Sequence, residues 1–394
     1  MSQMLSDVQS LAEEIGPRGT GTPGEEAAAE FVAGRLSALG FEVERDSFRA
    51  VASQNAFPLA IDLLALLAFG VYSLGGTAGR WIGAVLALST APLLWQAIRT
   101  SNSPLRPVLP QVTSRNVVAR VEPQDRIDQR VVILAHVDTN RCRIAWQSAA
   151  VRFVEPLTVL TLVLLAALGL LYLAGALLGG PAWVLWASLL PTAYVLGTVV
   201  TLWKDERTPY TPGAHDNAAS VAVALEVAAR LAVQPLDRTQ VWLAFTGAEE
   251  TDHAGLYALL RGHDALLRDA AFIGLEGLGS GELVYLTRQG VCAHYTPDAG
   301  LQALVADIAG LRPELGVRAA HMTMEDEVGT LRRRGYRAIC IAGRDPETGT
   351  LPHWHRPDDT VETVSGEFMA RAAGLVMALL EGLDGRTDNG QEGQ

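Results

Sequence analysis

The sequence predicts an α/β fold: a mixed, mostly parallel sheet sandwiched by helices, with four further helices inserted as two transmembrane hairpins. Two observations predict it. Strand-like segments alternate with helix-like segments along most of the 394 residues, which is the order of a parallel sheet covered on both faces. Four long apolar runs interrupt this alternation.

The apolar runs lie at 57–76, 81–98, 154–179 and 182–203. Each is close to the roughly 20 residues that a helix needs to cross the hydrocarbon core of a bilayer. Very short links, Gly75–Arg80 and Gly179–Pro181, join the runs in pairs, so we expect two transmembrane hairpins. Core helices of a large soluble protein are the alternative, but two consecutive pairs of such uncharged helices are uncommon.

Composition narrows the class of protein. Hydrophobic residues make up 49% of the chain and charged residues 19%, below the roughly 25% of a typical soluble domain. The net charge of −12 argues against a nucleic-acid binder, whose surface is basic. Cys142, Cys292 and Cys340 form no CxxC pair, which fits a reduced compartment or a protein that needs no disulfide.

The remaining elements follow from local patterns. Apolar residues at helical spacing predict helices at 3–16, 24–39, 217–232, 254–262, 301–311, 325–334 and 366–383. Apolar runs and alternation predict strands at 40–45, 116–121, 130–138, 239–247, 270–277, 282–287 and 336–343. We therefore expect one discontinuous domain (1–52, 108–144 and 205–384), hairpins at 53–107 and 145–204, and a polar disordered tail at 385–394.

Histidines and carboxylates follow the ends of the predicted strands. They are His136, Asp138, Asp216, Glu249, Glu250, Glu276 and His355. Ligands of open parallel sheets bind at the carboxyl ends of the strands, so we expect these side chains to meet at one edge. Imidazole and carboxylate are zinc ligands, and a carboxylate can bridge two cations. Each motif alone has a simpler explanation, such as a helix N-cap for the Asp-Asn pair.

Five motifs in order carry a resemblance. They read HVD (136–138), GAHDNAAS (213–220), FTGAEE (245–250), LEGLG (275–279) and HRPDDT (355–360). This set resembles peptidase family 28, the dizinc aminopeptidases and carboxypeptidases, whose motifs are HxD, GAxDNxxG, FxGEE, an acid after the next strand, and HxxxDT. The resemblance runs from the N-terminus to about Leu383, apart from the two hairpins.

The resemblance implies the dizinc exopeptidase fold and two Zn²⁺ ions, with other divalent metals as alternatives. His136 and Glu276 would hold one ion, Glu250 and His355 the other, and Asp216 would bridge both.

The resemblance also implies two catalytic residues. Glu249 would be the general base, and Asp138 would hydrogen-bond the second nitrogen of His136. The chain departs from the family pattern in three places. Position 276 is Glu where many members have Asp, GAEE stands where GEE is usual, and TMEDEVG (323–329) aligns Asp326 with a Ser-Asp-His element but lacks its histidine. His215, His321 and His353 are competing ligands close to the motifs.

We therefore expect a membrane-embedded zinc-dependent exopeptidase, most simply an aminopeptidase. A glutaminyl cyclase-like enzyme and a catalytically inactive membrane scaffold of the same fold are the alternatives. The expected partners are a peptide substrate and the lipid bilayer, without nucleic acid. Hydrophobic hairpins leave homo-oligomer formation open.

Charge predicts the orientation in the membrane. The flanks of the hairpins carry several arginines, whereas the two tips carry only Arg80. By the positive-inside rule the peptidase domain is then cytoplasmic, which agrees with a polar N-terminus that lacks a signal-peptide pattern. We expect an integral protein of a bacterial inner membrane.

Overall fold

The computed structural model describes residues 3–99, 103–146 and 150–389. These residues form two compact units. Unit 1 takes its described residues from Met1–Ala50, Val112–Cys142 and Tyr210–Gln394. Unit 2 takes them from Val51–Gln111 and Arg143–Pro209.

The sheet has eight strands in the order β1-β2-β4-β3-β5-β8-β6-β7. Their bounds are β1 Val43–Val51, β2 Gln111–Val121, β3 Gln129–His136, β4 Thr239–Thr246, β5 Ala271–Glu276, β6 Glu282–Gln289, β7 Arg318–Met322 and β8 Arg337–Arg344. Parallel pairings join β3 to β4 and β5, β5 to β8, and β6 to β7. Antiparallel pairings join β2 to β4 and β6 to β8. The predicted mixed, mostly parallel sheet is confirmed.

The parallel register aligns the strand ends that matter for the site. His136, the last residue of β3, pairs with Thr246, the last residue of β4. β5 lies on the other side of β3 and ends at Glu276. Three parallel strands therefore deliver their carboxyl ends to one edge of the sheet, where the loops that follow them meet.

The helices are α1 Gln3–Gln9, α2 Pro23–Ala38, α3 Ala56–Leu74, α4 Gly76–Arg99, α5 Val154–Leu177, α6 Ala182–Asp205, α7 Ser220–Val233, α8 Ala254–Leu267, α9 Ala299–Leu311, α10 Glu327–Arg333 and α11 Gly366–Asn389. In unit 1, α1, α2, α7, α9 and α11 share one apolar core with the sheet, and α8 and α10 share another. Residues of β3 alternate between them: Val131 and Ile133 belong to the first, and Val132 and Leu134 to the second. The sheet is therefore buried on both faces.

Unit 2 contains α3, α4, α5 and α6, whose buried residues form a separate apolar core. All four are long and apolar enough to cross a membrane, as predicted. Only 17–33% of their most apolar windows is buried inside the protein, and large side chains such as Leu67, Trp186 and Leu190 are exposed. Such extensive exposed apolar surface is rare on soluble proteins.

The first hairpin turn is tighter than the predicted link Gly75–Arg80. α3 ends at Leu74 and α4 begins at Gly76. A Cβ atom on Gly79 would lie 2.5 Å from the carbonyl oxygen of Val71, and Gly76 has a φ of +59°. The glycines therefore let the two helices approach directly after the turn.

Three other elements differ from expectation. β1 runs to Val51, beyond the predicted strand 40–45. β7 was not predicted, because RAAHM has no apolar run and is mostly exposed. α11 extends to Asn389, into the segment predicted as a disordered tail, and residues 390–394 lie outside the described residues.

Candidate metal centre

The structure brings His136, Asp216 and Glu276 together at the carboxyl edge of the sheet. The Nε2 atom of His136 lies 3.3 Å from Asp216 Oδ1 and 3.4 Å from Glu276 Oε2. All three side chains are buried. One ligand atom from each lies within 4.8 Å of the others, which suits a single metal ion.

A second group contains Asp216, Glu250 and His355, with the same spacing of at most 4.8 Å. The Nε2 atom of His355 lies 3.0 Å from Glu250 Oε1 and 3.3 Å from Asp216 Oδ2. The two oxygens of Asp216 thus face different histidines. The five predicted metal ligands therefore form two groups that share Asp216. Glu249 belongs to neither group among the described residues, and its Oε2 lies 3.9 Å from His136 Nε2.

Asp138 orients His136 through a different atom from the one expected. The Nδ1–H of His136 donates to the backbone carbonyl of Asp138 at 3.0 Å, whereas the Asp138 carboxylate lies 3.6 Å from Nδ1. The bond at Nδ1 leaves the lone pair on Nε2, the nitrogen that faces the carboxylates. The tautomer is therefore suited to metal binding.

The carboxylate of Asp138 instead holds the loop that carries Glu249 and Glu250. Its Oδ1 accepts from the backbone N–H of Glu249 at 3.0 Å, and its Oδ2 accepts from that of Glu250 at 3.1 Å. The Thr20 hydroxyl also donates to Oδ2. Glu25 accepts from the N–H of Ala248 at 2.9 Å. Two buried acids thus fix the backbone from Ala248 to Glu250.

Asp216 lies in a turn before α7 that requires a glycine. Gly213 has a φ of +68°, and a Cβ there would lie 2.2 Å from Thr139 Cγ2. The buried carboxylate of Asp359 accepts from the N–H of His215 at 2.6 Å and from the N–H of Asp216 at 3.3 Å. The peptide bond between Asp216 and Asn217 is cis. Asp359 therefore positions the shared ligand.

Burial and mutual repulsion raise the pKa values of Glu249 and Glu276 in the site. Burial raises the pKa of Glu276 to about 7, although the charge of His136 opposes the rise. Burial also raises the pKa of Glu249 well above its usual value, and the charges of Glu250 and Glu276 add to the rise. Confined negative charge of this kind is what a bound cation would neutralise.

The pKa values of His355 and Asp216 shift in the direction opposite to the effect of burial. Burial lowers the pKa of His355, but the charges of Glu250 and Asp216 outweigh it and raise the pKa to about 9. Burial likewise opposes ionisation of Asp216, but the imidazoles of His136 and His355, each 3.3 Å from one of its oxygens, outweigh burial and lower its pKa. The two groups are thus held together by opposite charges.

The residues present fit zinc. Each group offers one imidazole nitrogen and two carboxylates, a donor set that zinc accepts. Among the described residues, the buried Oδ2 of Asp216 receives no hydrogen bond, although it faces His355. A buried carboxylate oxygen without a donor is costly unless a cation satisfies it.

Comparison with known proteins finds matches to part of the chain. Residues 199–380 match the model of Peptidase family M28. A 181-residue segment is 27% identical to aminopeptidase YwaD of Bacillus subtilis and covers 44% of this chain and 38% of the relative's length. The chain thus corresponds to well under two thirds of that relative. Residues 199–380 therefore resemble peptidase family M28.

Solved structures share the fold. A glutaminyl cyclase of Bacteroides thetaiotaomicron has a TM-score of 0.55 at 15% identity, with 96% of each chain covered. A Zn-dependent exopeptidase of Parabacteroides distasonis has a TM-score of 0.55 at 14% identity, covering 96% of this chain and 97% of that one. At such identities the likeness describes the fold alone.

The M28 segment contains four of the five predicted ligands, and His136 precedes it. The competing histidines lie outside both groups. His215 bonds Asp359 and the Ser280 hydroxyl, His353 bonds Asp358, and His321 is exposed on β7. Asp326, aligned with the Ser-Asp-His element of the family, caps α10 by accepting from Gly329 N–H.

Arg18 is a buried residue that the sequence patterns did not single out. Its guanidinium donates to five backbone carbonyls, those of Leu11, Gly16, Val137, Pro212 and Gly213. Burial lowers its pKa to about 10. Arg18 therefore ties the segment after His136 to the turn before Asp216. The string PRGTG (17–21) that contains it carries no periodicity that would have revealed this role.

Arg18→Met is expected to lower the free energy of unfolding by about 3 kcal/mol or more, because it leaves several buried carbonyls without donors. The thermal unfolding midpoint in detergent measures the loss. Arg45→Met is the control, because Arg45 forms an exposed ion pair with Glu30, worth about 1 kcal/mol or less. Equal shifts for the two variants would contradict the role of Arg18.

Proposed function

We propose that this protein is a membrane-embedded aminopeptidase that binds two zinc ions. One observation carries the proposal: two three-residue groups share Asp216, and Glu249 lies beside them with Oε2 3.9 Å from His136 Nε2. His136, Asp216 and Glu276 would hold one ion, and Asp216, Glu250 and His355 the other. The M28 match supports the same assignment.

The membrane part of the proposal rests on unit 2. Its four helices are long and apolar enough to span a bilayer, and their large exposed side chains suit lipid. We assign them as two hairpins of an integral protein of a bacterial inner membrane. Because arginines flank the hairpins and only Arg80 lies at their tips, the peptidase domain would be cytoplasmic.

Zinc bound at such a site lowers the pKa of a water molecule towards about 7 and polarises the scissile carbonyl. The chain supplies the proton acceptor. Oε1 of Glu249 lies 3.3 Å from His253 Nε2, so Oε2 is the oxygen that faces the two groups. Glu249 would take the proton of the attacking water on Oε2 and deliver it to the leaving amine. Asp138 holds the Glu249 backbone during both transfers.

Charge favours the amino end of a peptide. The site is lined by the buried acids Asp216, Glu249, Glu250 and Glu276. The buried cation Arg18 is engaged by backbone carbonyls. A free ammonium group therefore suits this surrounding better than a terminal carboxylate.

A glutaminyl cyclase-like activity is the second candidate, because cyclases share the fold. The resemblance associates cyclases with one zinc, whereas this chain retains the residues of two groups. An inactive scaffold is less consistent with two complete ligand groups. Metal count and substrate type therefore separate the three functions.

The test uses full-length protein extracted with detergent from alkali-washed membranes. We expect two zinc ions per chain and hydrolysis of aminoacyl-anilides with a free amino group. Nα-acetylated anilides, C-terminal reporters and glutaminyl peptides serve as comparison substrates. Removal of zinc by a chelator should abolish hydrolysis, and added zinc should restore it.

Each other outcome assigns a different function. If the protein binds one zinc ion and cyclises glutaminyl peptides, it is a glutaminyl cyclase-like enzyme. No metal after zinc is supplied, together with no turnover, would establish a scaffold. Release of the protein by alkaline washing would contradict the membrane assignment alone.

A further inference from the structure

Asn140 contacts a predicted metal ligand from outside the family motifs. It lies two residues after Asp138 and is 3% exposed. Its Nδ2 atom donates to Glu250 Oε2 at 2.7 Å. A bond of this length to a buried carboxylate belongs to the stronger charge-assisted class.

The neighbours of Asn140 determine which way its amide points. The backbone N–H of Arg141 donates to Asn140 Oδ1 at 2.8 Å, so this position must be the oxygen. The other amide atom then is the nitrogen, which is the one that a carboxylate acceptor requires. The backbone of Asn140 is also anchored. Its backbone carbonyl accepts from Thr211 N–H at 2.8 Å and from the Thr211 hydroxyl at 3.2 Å. The donor is therefore fixed before any metal binds.

The two oxygens of Glu250 consequently have different surroundings. Oε1 lies 3.0 Å from His355 Nε2, on the side of the metal group. Oε2 is held by Asn140. Glu276 differs, because Asn217 Nδ2 approaches its Oε2 at 3.3 Å, and that oxygen also faces His136 Nε2 at 3.4 Å.

We propose that Asn140 is a positioning residue that holds Glu250 as a one-oxygen metal ligand and sets the affinity of the metal group formed by Asp216, Glu250 and His355. The inference rests on the proposed two-zinc site. Without the amide donor, Oε2 is a buried carboxylate oxygen without its partner, and the carboxylate is free to rotate. One of the two metals would therefore weaken selectively.

The test is a metal titration of full-length, detergent-solubilised protein stripped with a chelator. Zinc binding is followed by calorimetry, and cobalt binding by its visible absorption, which responds to coordination number. Asn140→Ala removes the donor, and Asn140→Asp keeps the shape without the donor. Thr211→Val is the matched control, because it removes one hydrogen bond to the backbone carbonyl of Asn140 and leaves the side-chain amide donor of Asn140 in place.

For both Asn140 variants we expect one metal equivalent to bind about 10- to 100-fold more weakly, while the other equivalent and Thr211→Val match the wild type. The cobalt spectrum of the weakened equivalent should change as Glu250 gains freedom to bind through both oxygens. Asn140→Asp replaces the donor with a carboxylate that faces Glu250 Oε2, so it should weaken this equivalent at least as strongly as Asn140→Ala.

Three results would overturn the inference. Wild-type affinity for both equivalents in Asn140→Ala and Asn140→Asp excludes a role in metal binding. Equal weakening of both equivalents, with Thr211→Val affected as strongly, indicates general collapse of the loop. Binding of fewer than two zinc equivalents by the wild type refutes the proposed two-zinc function. The wild type is therefore titrated before the variants.

Discussion

Glu249→Gln is expected to lower kcat for aminoacyl-anilides by about 10²- to 10⁴-fold while the protein retains two zinc ions. Glutamine keeps the size of the side chain, and Glu249 lies outside both metal groups among the described residues. The amide has no basic oxygen at the position that faces His136 Nε2. It therefore cannot take the proton of the attacking water. Steady-state kinetics and zinc analysis of the same preparation measure both effects.

The neighbouring position supplies the contrast. Glu250→Gln changes a residue of the second metal group, so it should reduce zinc content together with activity. Because GAEE leaves the alignment of this pair shifted by one residue, the two variants also test which glutamate has which role. Loss of zinc in Glu249→Gln with retention in Glu250→Gln would exchange the two assignments.

Asp216→Asn is expected to reduce bound zinc from two ions to at most one and to remove measurable hydrolysis. The Oδ1 and Oδ2 atoms of Asp216 lie 3.3 Å from His136 Nε2 and His355 Nε2, respectively. An amide has one oxygen and carries no charge, so it serves one group and presents N–H to the other. The loss of affinity should exceed the roughly 10- to 100-fold that follows removal of an outer partner.

Asp358→Asn is the control for this substitution. Asp358 lies close in sequence to His355, but its carboxylate bonds His353 and Arg356 and belongs to neither metal group. Zinc content should stay at the wild-type value. If Asp216→Asn kept two tightly bound ions, the shared-ligand assignment would be wrong, and each group would need another donor.

Much of this fold follows from local patterns. Four apolar runs predict the four long helices, because length and hydrophobicity are properties of a continuous segment. Three apolar strands lead to His136, Glu249 and Glu276. They predict a parallel sheet in which the carboxyl ends of these strands meet at one edge. The order of the five motifs then predicts which side chains come together, and the structure brings those side chains together.

Other features required the tertiary structure. β7 was missed because its mostly exposed residues lack an apolar pattern. The sequence also did not predict that the Asp138 carboxylate accepts hydrogen bonds from the backbone amides of Glu249 and Glu250. Asp138 and Glu249 are 111 residues apart in the chain, and no periodic pattern links them.

The sequence by itself determined the class of fold, the four helices long and apolar enough for a membrane, and which histidine and carboxylate side chains lie together at one edge of the sheet. Apolar spacing and motif order can both be recognised along the chain. Only the tertiary structure decided how the site is supported. Arg18, Glu25 and Asn140 act through hydrogen bonds to atoms more than 100 residues away. Such bonds depend on the orientation of single donors and acceptors after packing, which local propensity does not specify.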